Sequence, residues 1–217
     1  MPLSRFCFIK GPLLSFLNDF FVFIKCCLPF SLLSLLPKTR RKQLVISYII
    51  VCLYWFFSIS SLSLLILLSI LSFYLLILSF FDADYFLLPN TLTYWLIFLG
   101  LLCNYTTYGL VPFDHAFYGF LGGVGLFYGI YLWGYLIYQK CVLGFGDVKL
   151  FGAIGAWCGV EKLPYILLLG SFLGLSVYFS VLITIRNRIK KVAFGSCLAF
   201  STLMVLGSYF SSFNPFN

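Results

Sequence analysis

Charge is scarce in this sequence: 9% of the 217 residues carry it, and only 6 are aspartate or glutamate. So few charges cannot clothe a water-facing globule. With 62% hydrophobic residues and a mean hydropathy of +1.06, an ordinary soluble domain is excluded. Short alternating segments are missing too, which excludes a transmembrane barrel. The eight cysteines contain no CxxC pair, so neither a zinc site nor a disulfide framework is expected. Most stand singly in apolar runs, where cysteine serves as a small hydrophobe. A clean signal peptide is also lacking, because Asp19 and Lys25 interrupt the first apolar stretch and no small-residue cleavage site follows.

What is there is a series of apolar runs long enough to cross a bilayer. They define an all-α, polytopic transmembrane helical bundle with about seven to eight crossings. The formal charge of +8 sits in short basic clusters between these runs. That is the pattern of topology signals, so the expected partner is the lipid bilayer and not nucleic acid.

Residues 1–43 read as an N-terminal segment and 44–217 as the membrane domain. Within the first, 13–36 is long enough for a crossing, although Asp19 and the stretch Lys25-Cys26-Cys27-Leu28-Pro29 interrupt it. The cluster Lys38, Arg40, Arg41 and Lys42 reads as a short cytoplasmic loop. The run 44–81 exceeds one crossing, and the polar 58–63 at its centre predicts a helical hairpin. An acidic island, Asp82-Ala83-Asp84, follows, with Pro89 predicting a break. Crossings over 91–110 and 116–138 flank an outer loop at 111–115. Further passages are expected over 150–160, 165–185 and 192–209. Gly119 and Gly123 form a GxxxG pattern that permits close helix approach.

The basic residues fix an orientation. Lys38 to Lys42, Lys140, Lys149 and the cluster Arg186, Arg188, Lys190, Lys191 all fall on one side of this topology. After the first cluster, the outer turns hold only Lys162. The positive-inside rule places the former side in the cytoplasm.

Two crossings separate Asp82 from Asp147, so the chain returns both to that same cytoplasmic face. Two carboxylates within reach of each other cannot both ionise cheaply and would share a proton. One then takes a proton from water while the other protonates an amide leaving group. Gly144 and Gly146, flanking Phe145 just before Asp147, would let the backbone turn sharply and an extended substrate approach. On the residues alone, other readings stay open. Acidic residues at helix ends are often merely solvated, Lys149 can simply pair with Asp147, and intramembrane carboxylates also serve ion or solute transport.

The stretch Gly144-Phe145-Gly146-Asp147 resembles the GxGD signature of membrane aspartyl proteases. Residues 144–159, GFGDVKLFGAIGAWCG, resemble bacterial prepilin peptidases, the type IV leader peptidases. Their other signature, an aspartate seven residues before Pro-Asn and then Leu-Thr, is matched by Asp82, Pro89, Asn90, Leu92 and Thr93. Residues 193–199, AFGSCLA, are similar to the family's IPFGP-type segment, with Ala193 and Ser196 in place of prolines. Ser15-Phe16-Leu17-Asn18 is similar to the family's early SFLN.

The resemblance implies catalytic roles for Asp82 and Asp147, with Gly144, Gly146, Lys149, Asp84 and Pro89 as supporting residues. It implies an aspartyl endopeptidase in the bacterial inner membrane, cleaving the leader of prepilins or pseudopilins at the cytoplasmic face. Type IV pilus assembly, type II secretion or DNA uptake would be the setting. The cytoplasmic insertion with two CxxC pairs found in many members is absent between 28 and 43, where only the adjacent Cys26-Cys27 stand nearby. Zinc and S-adenosylmethionine-dependent N-methylation are therefore not expected, and no cofactor is. The rivals are a degenerate member with an assembly role and a small ion or solute transporter.

Overall fold

The structure is a computed structural model and describes residues 37–59, 61–106, 109–139, 143–185 and 192–212. The expectations for 13–36, for Ser15 to Asn18, for Cys26-Cys27 and for the second basic cluster lie outside the described residues. Among the described residues there are seven helices and no strand. They are α1 (Lys38–Ser58), α2 (Leu62–Tyr85), α3 (Asn90–Tyr105), α4 (Phe113–Tyr138), α5 (Phe145–Cys158), α6 (Leu163–Ile185) and α7 (Phe194–Ser212).

The helix boundaries follow from local chemistry. Pro37, Pro89 and Pro112 each stand immediately before a helix, where a missing N–H costs nothing and φ is already helical. Both α2 and α4 end in a residue with left-handed backbone, Phe86 and Gln139, whose N–H closes on the carbonyl four residues back. The basic cluster at Lys38 is not a loop. It forms the first turns of α1, since Lys, Arg and Gln are good helix formers directly behind Pro37.

The hairpin expected within 44–81 is present as α1 and α2. Trp55 donates its Nε1–H to Ser72 Oγ at 2.9 Å, and that hydroxyl donates in turn to the Leu68 carbonyl at 2.7 Å. The polar atoms of Trp55 and Ser72 are thereby satisfied, as the interior of a membrane protein requires.

Among the described residues, three helices are long and apolar enough to span a bilayer: Leu62–Tyr85, Phe113–Ile137 and Leu163–Ile183. A shorter apolar helix covers Phe194–Phe210. Bulky apolar side chains point outward from them, among them Leu136 at 76% exposure and Leu168 at 70%. Such a surface suits lipid and not water.

The centre of the bundle is α5, only 14 residues long yet buried at every position from Leu150 to Cys158. It packs against α3, α4, α6 and α7. In lipid, burial of apolar surface does not by itself distinguish inside from outside, so close backbone contact has to hold the helices. Small residues supply it. A Cβ on Gly119 would collide with the Gly155 carbonyl oxygen, and one on Gly155 with the Gly119 carbonyl oxygen. A Cβ on Gly123 would lie 2.8 Å from the Phe151 carbonyl oxygen. The GxxxG pattern of α4 is thus spent on α5 within the same chain.

Polar ties lock α5 from its other side. Trp157 donates its indole N–H to the Leu96 carbonyl at 2.8 Å, seated against Gly100 of α3. Buried Asn104 donates to the Ala156 carbonyl at 2.8 Å and accepts from the Leu110 N–H at 2.7 Å. One amide therefore anchors both the end of α5 and the connection between α3 and α4. Toward the other end, stacked Phe127 and Phe151 lie with ring centroids 4.2 Å apart, and Phe194 continues the stack into α7.

Candidate active site

The two acidic islands meet at one end of the bundle. Asp82 occupies the last turn of α2, and Asp147 the first turn of α5. The start of α7 lies between them. A Cβ placed on Gly195 would sit 2.9 Å from Asp82 Oδ2 and 3.2 Å from Asp147 Oδ1. The two carboxylate oxygens are therefore no farther apart than the sum of those distances. Only glycine fits at this point.

Asp82 is buried, with 5% of its surface exposed. A carboxylate so placed is costly unless donors surround it. Ser196 provides one: its backbone N–H donates to Asp82 Oδ2 at 2.7 Å. Its hydroxyl lies 3.3 Å from the same oxygen but gives its single proton to the nearer Ser79 carbonyl at 2.9 Å, one turn before Asp82. Because this N–H opens α7, it has no partner within the helix and lies at its positive dipole end.

Asp147 has a different environment. It lies outside the three long apolar spans, and its own N–H bonds to the Gly144 carbonyl at 3.1 Å. Burial pushes its carboxyl up to about 7, and the Asp82 charge facing it pushes in the same direction. Among the described residues no donor reaches its carboxylate. It is the natural holder of a shared proton.

The glycines of the GFGD stretch work by closeness. Gly144 has φ −71°, and Gly146 is helical, so neither makes the sharp turn expected of it. A Cβ on Gly144 would stand 3.2 Å from Asp147 Oδ2, in the room the carboxylate needs to fold back over its own helix start. A Cβ on Gly146 would press on Leu88 at 3.0 Å. Gly146 thus lets the connection before Pro89 lie directly on α5, which draws the two islands together. Pro89 itself sits ahead of α3 and takes hydrogen bonds from the Leu92 and Thr93 N–H groups.

Lys149 does not pair with Asp147. Its ammonium donates to Asn90 Oδ1 at 2.9 Å and sits over the rings of Tyr94 and Phe145. Two residues along the first turn of a helix point well apart, and that rotation sends Lys149 toward α3. The same geometry turns Asp84 away from Asp82, and it pairs with Arg40 of α1 at 2.9 Å. The first basic cluster and the acidic island are therefore at the same end of the bundle.

Ser196 and Gly195 are the residues whose place at the site was not foreseen. The available signal was the 193–199 segment itself, with glycine and serine opening a helix. Among the described residues no cluster of three or more His, Cys, Asp or Glu could hold a metal ion.

A helical membrane bundle with two aspartates converging at one end defines the class. The model of the type IV leader peptidase family matches residues 69–179, which include both aspartates, and the chain belongs to that family. It is similar to the prepilin leader peptidase/N-methyltransferase of Escherichia coli K12, with 41% identity over 135 residues. That match covers 62% of this chain and 59% of the relative. The Aeromonas salmonicida A449 protein of the same name is 38% identical over 140 residues, 63% of this chain and 47% of its own length. The Neisseria gonorrhoeae one is 32% identical over 140 residues, 64% and 46%. The match thus spans only about half the length of these relatives. No solved structure matches the chain.

Proposed function

We propose that this protein is a membrane aspartyl endopeptidase that removes the leader peptide from type IV prepilins or pseudopilins. The observation that carries the reading is the convergence of Asp82 and Asp147 on Gly195. With one proton between them, one carboxylate takes a proton from water as its oxygen attacks the peptide carbonyl. The other gives its proton to the amide nitrogen as the C–N bond breaks, and passing the proton back restores the pair. Names of the family and its relatives support the substrate class. The proposal covers the peptidase activity and needs no cofactor.

The site would face the cytoplasm of a bacterial inner membrane, because Arg40 and Asp84 join the basic cluster to the acidic island and basic clusters stay inside. The leader would then lie in the cytoplasm while the pilin helix lies in the bilayer.

Co-expression with a prepilin or pseudopilin tests this, with leader removal followed by gel shift. Wild type should cleave. Asp82→Asn and Asp147→Asn should insert normally yet lose cleavage by a factor on the order of 10³. Unchanged cleavage in either variant, in a host lacking other such peptidases, would overturn the assignment of the pair. No cleavage by wild type with several pilins would favour an assembly role.

A further inference from the structure

We propose that Ser196 divides the labour between the two aspartates, its backbone N–H holding Asp82 as the charged member and leaving the proton on Asp147. This rests on the peptidase reading above and deepens it. Asp82 Oδ2 has the Ser196 N–H at 2.7 Å, at the positive end of α7, while the hydroxyl gives its proton to the Ser79 carbonyl. Donors aimed at a carboxylate stabilise its charged form. The Asp147 carboxylate has no such donor among the described residues, and Gly195 keeps only a hydrogen between it and Asp82. Two like groups in one cavity are thus made unlike by the opening turn of α7, where the Gly195 and Ser196 N–H groups both face Asp82. Asp82 then takes the proton from water as the oxygen attacks the carbonyl carbon. Asp147 gives its proton to the amide nitrogen as the C–N bond breaks, and the proton on Asp82 returns to Asp147. Ser196 touches neither substrate nor water in this scheme and is a positioning residue.

Few other groups compete for Asp82. Among the described residues, its titratable neighbours are Asp147 from α5 and Cys197 from α7. Lys149 is bound to Asn90, and Arg40 to Asp84.

The test needs no substrate. In purified Asp147→Asn protein, Asp82 titrates without its partner, and the protonated-carboxyl band in infrared difference spectra follows it with pH. Adding Ser196→Pro removes the N–H donor at a position in the first helical turn, where it has no intrahelical partner. The midpoint should move to higher pH by about one unit. Adding Ser196→Ala keeps that N–H and removes a hydroxyl whose proton goes to Ser79, so it should leave the midpoint nearly in place. A midpoint that stays put in the proline variant, or moves as far in the alanine variant, overturns the inference, even if the protein cleaves prepilin normally. In the cleaving enzyme with Asp147 restored, Ser196→Pro should shift the acid limb of kcat/KM upward by a similar amount. A lower rate with an unmoved limb would mean that Ser196 serves only packing.

Discussion

Lys149 donates to Asn90 Oδ1 at 2.9 Å, tying the first turn of α5 to the first turn of α3. The tie joins the two signature stretches, since Asn90 follows Pro89 and Lys149 follows Asp147. Its role is therefore to hold the islands in register, with the charge further settled over Tyr94 and Phe145. Lys149→Met should reduce cleavage less than about tenfold, because Asp147 loses no partner. In thermal unfolding, Lys149→Met and Asn90→Ala should be non-additive, with a coupling of about 1 kcal/mol. Lys149→Met and Asp147→Asn should simply add. Strong coupling in the second cycle would restore the direct pairing that the structure denies.

Gly195→Ala should strongly impair cleavage. The added carbon would lie 2.9 Å from one carboxylate oxygen and 3.2 Å from the other, pressing on both members of the pair. A misplacement of the pair approaching about 1 Å would cost on the order of 10²-fold in rate. Insertion and helix content should be unchanged, as read by circular dichroism in detergent. Wild-type cleavage by Gly195→Ala would mean that the carboxylates do not work from this geometry.

How much of this was legible beforehand depends on the range of the interaction. The hairpin of α1 and α2 followed from a polar break at 58–63 in an otherwise apolar run, a local signal. The meeting of Asp82 and Asp147 followed from counting crossings, and spacing to Pro89 sharpened it. The direction of Lys149 was not legible, because it depends on the rotation of α5 against α3. Nor was the role of Ser196, whose hydrogen bond to Asp82 spans 114 residues and requires α7 to dock on α2. The basic cluster at Lys38 was misread as a loop because its charges served as topology markers. Helix propensity behind Pro37 decided the matter.

The glycines of α4 and α5 separate packing from propensity. Gly155→Ala should lower stability by roughly 1–3 kcal/mol, because its new carbon meets the Gly119 backbone and not a side chain that can move. Gly125→Ala and Gly129→Ala have nothing within 4 Å of the added carbon. They should leave the melting temperature unchanged or slightly raised, since alanine is the better helix former. Equal destabilisation by all three would show that α4 and α5 are not packed glycine to glycine.

Asp84 offers a control for the chemistry. Its ion pair with Arg40 is partly exposed, with 44% of the arginine side chain accessible, so it contributes under about 1 kcal/mol. Asp84→Asn should keep cleavage within about threefold of wild type, while Asp82→Asn two residues away abolishes it. Loss of activity in both would point to the acidic island as a whole and away from a specific pair.

The raised carboxyl of Asp147 sets both a pH limit and a stability cost. Burial and the neighbouring Asp82 charge lift it from 3.8 to about 7, so the folded protein holds this proton more tightly than the unfolded chain does. Stability from this group is complete below pH 3.8 and is lost progressively as pH rises to about 7. Asp147→Asn escapes that loss. Its stability advantage over wild type should widen from about pH 4 to about pH 7 and then level off, measured by thermal unfolding in detergent. Cleavage by wild type should fall over the upper end of the same range, as the acid that protonates the leaving amide loses its proton. A variant gaining stability where the enzyme loses activity would link the two effects to one proton. A constant stability difference across this window would instead leave Asp147 ionised throughout, unable to act as the acid.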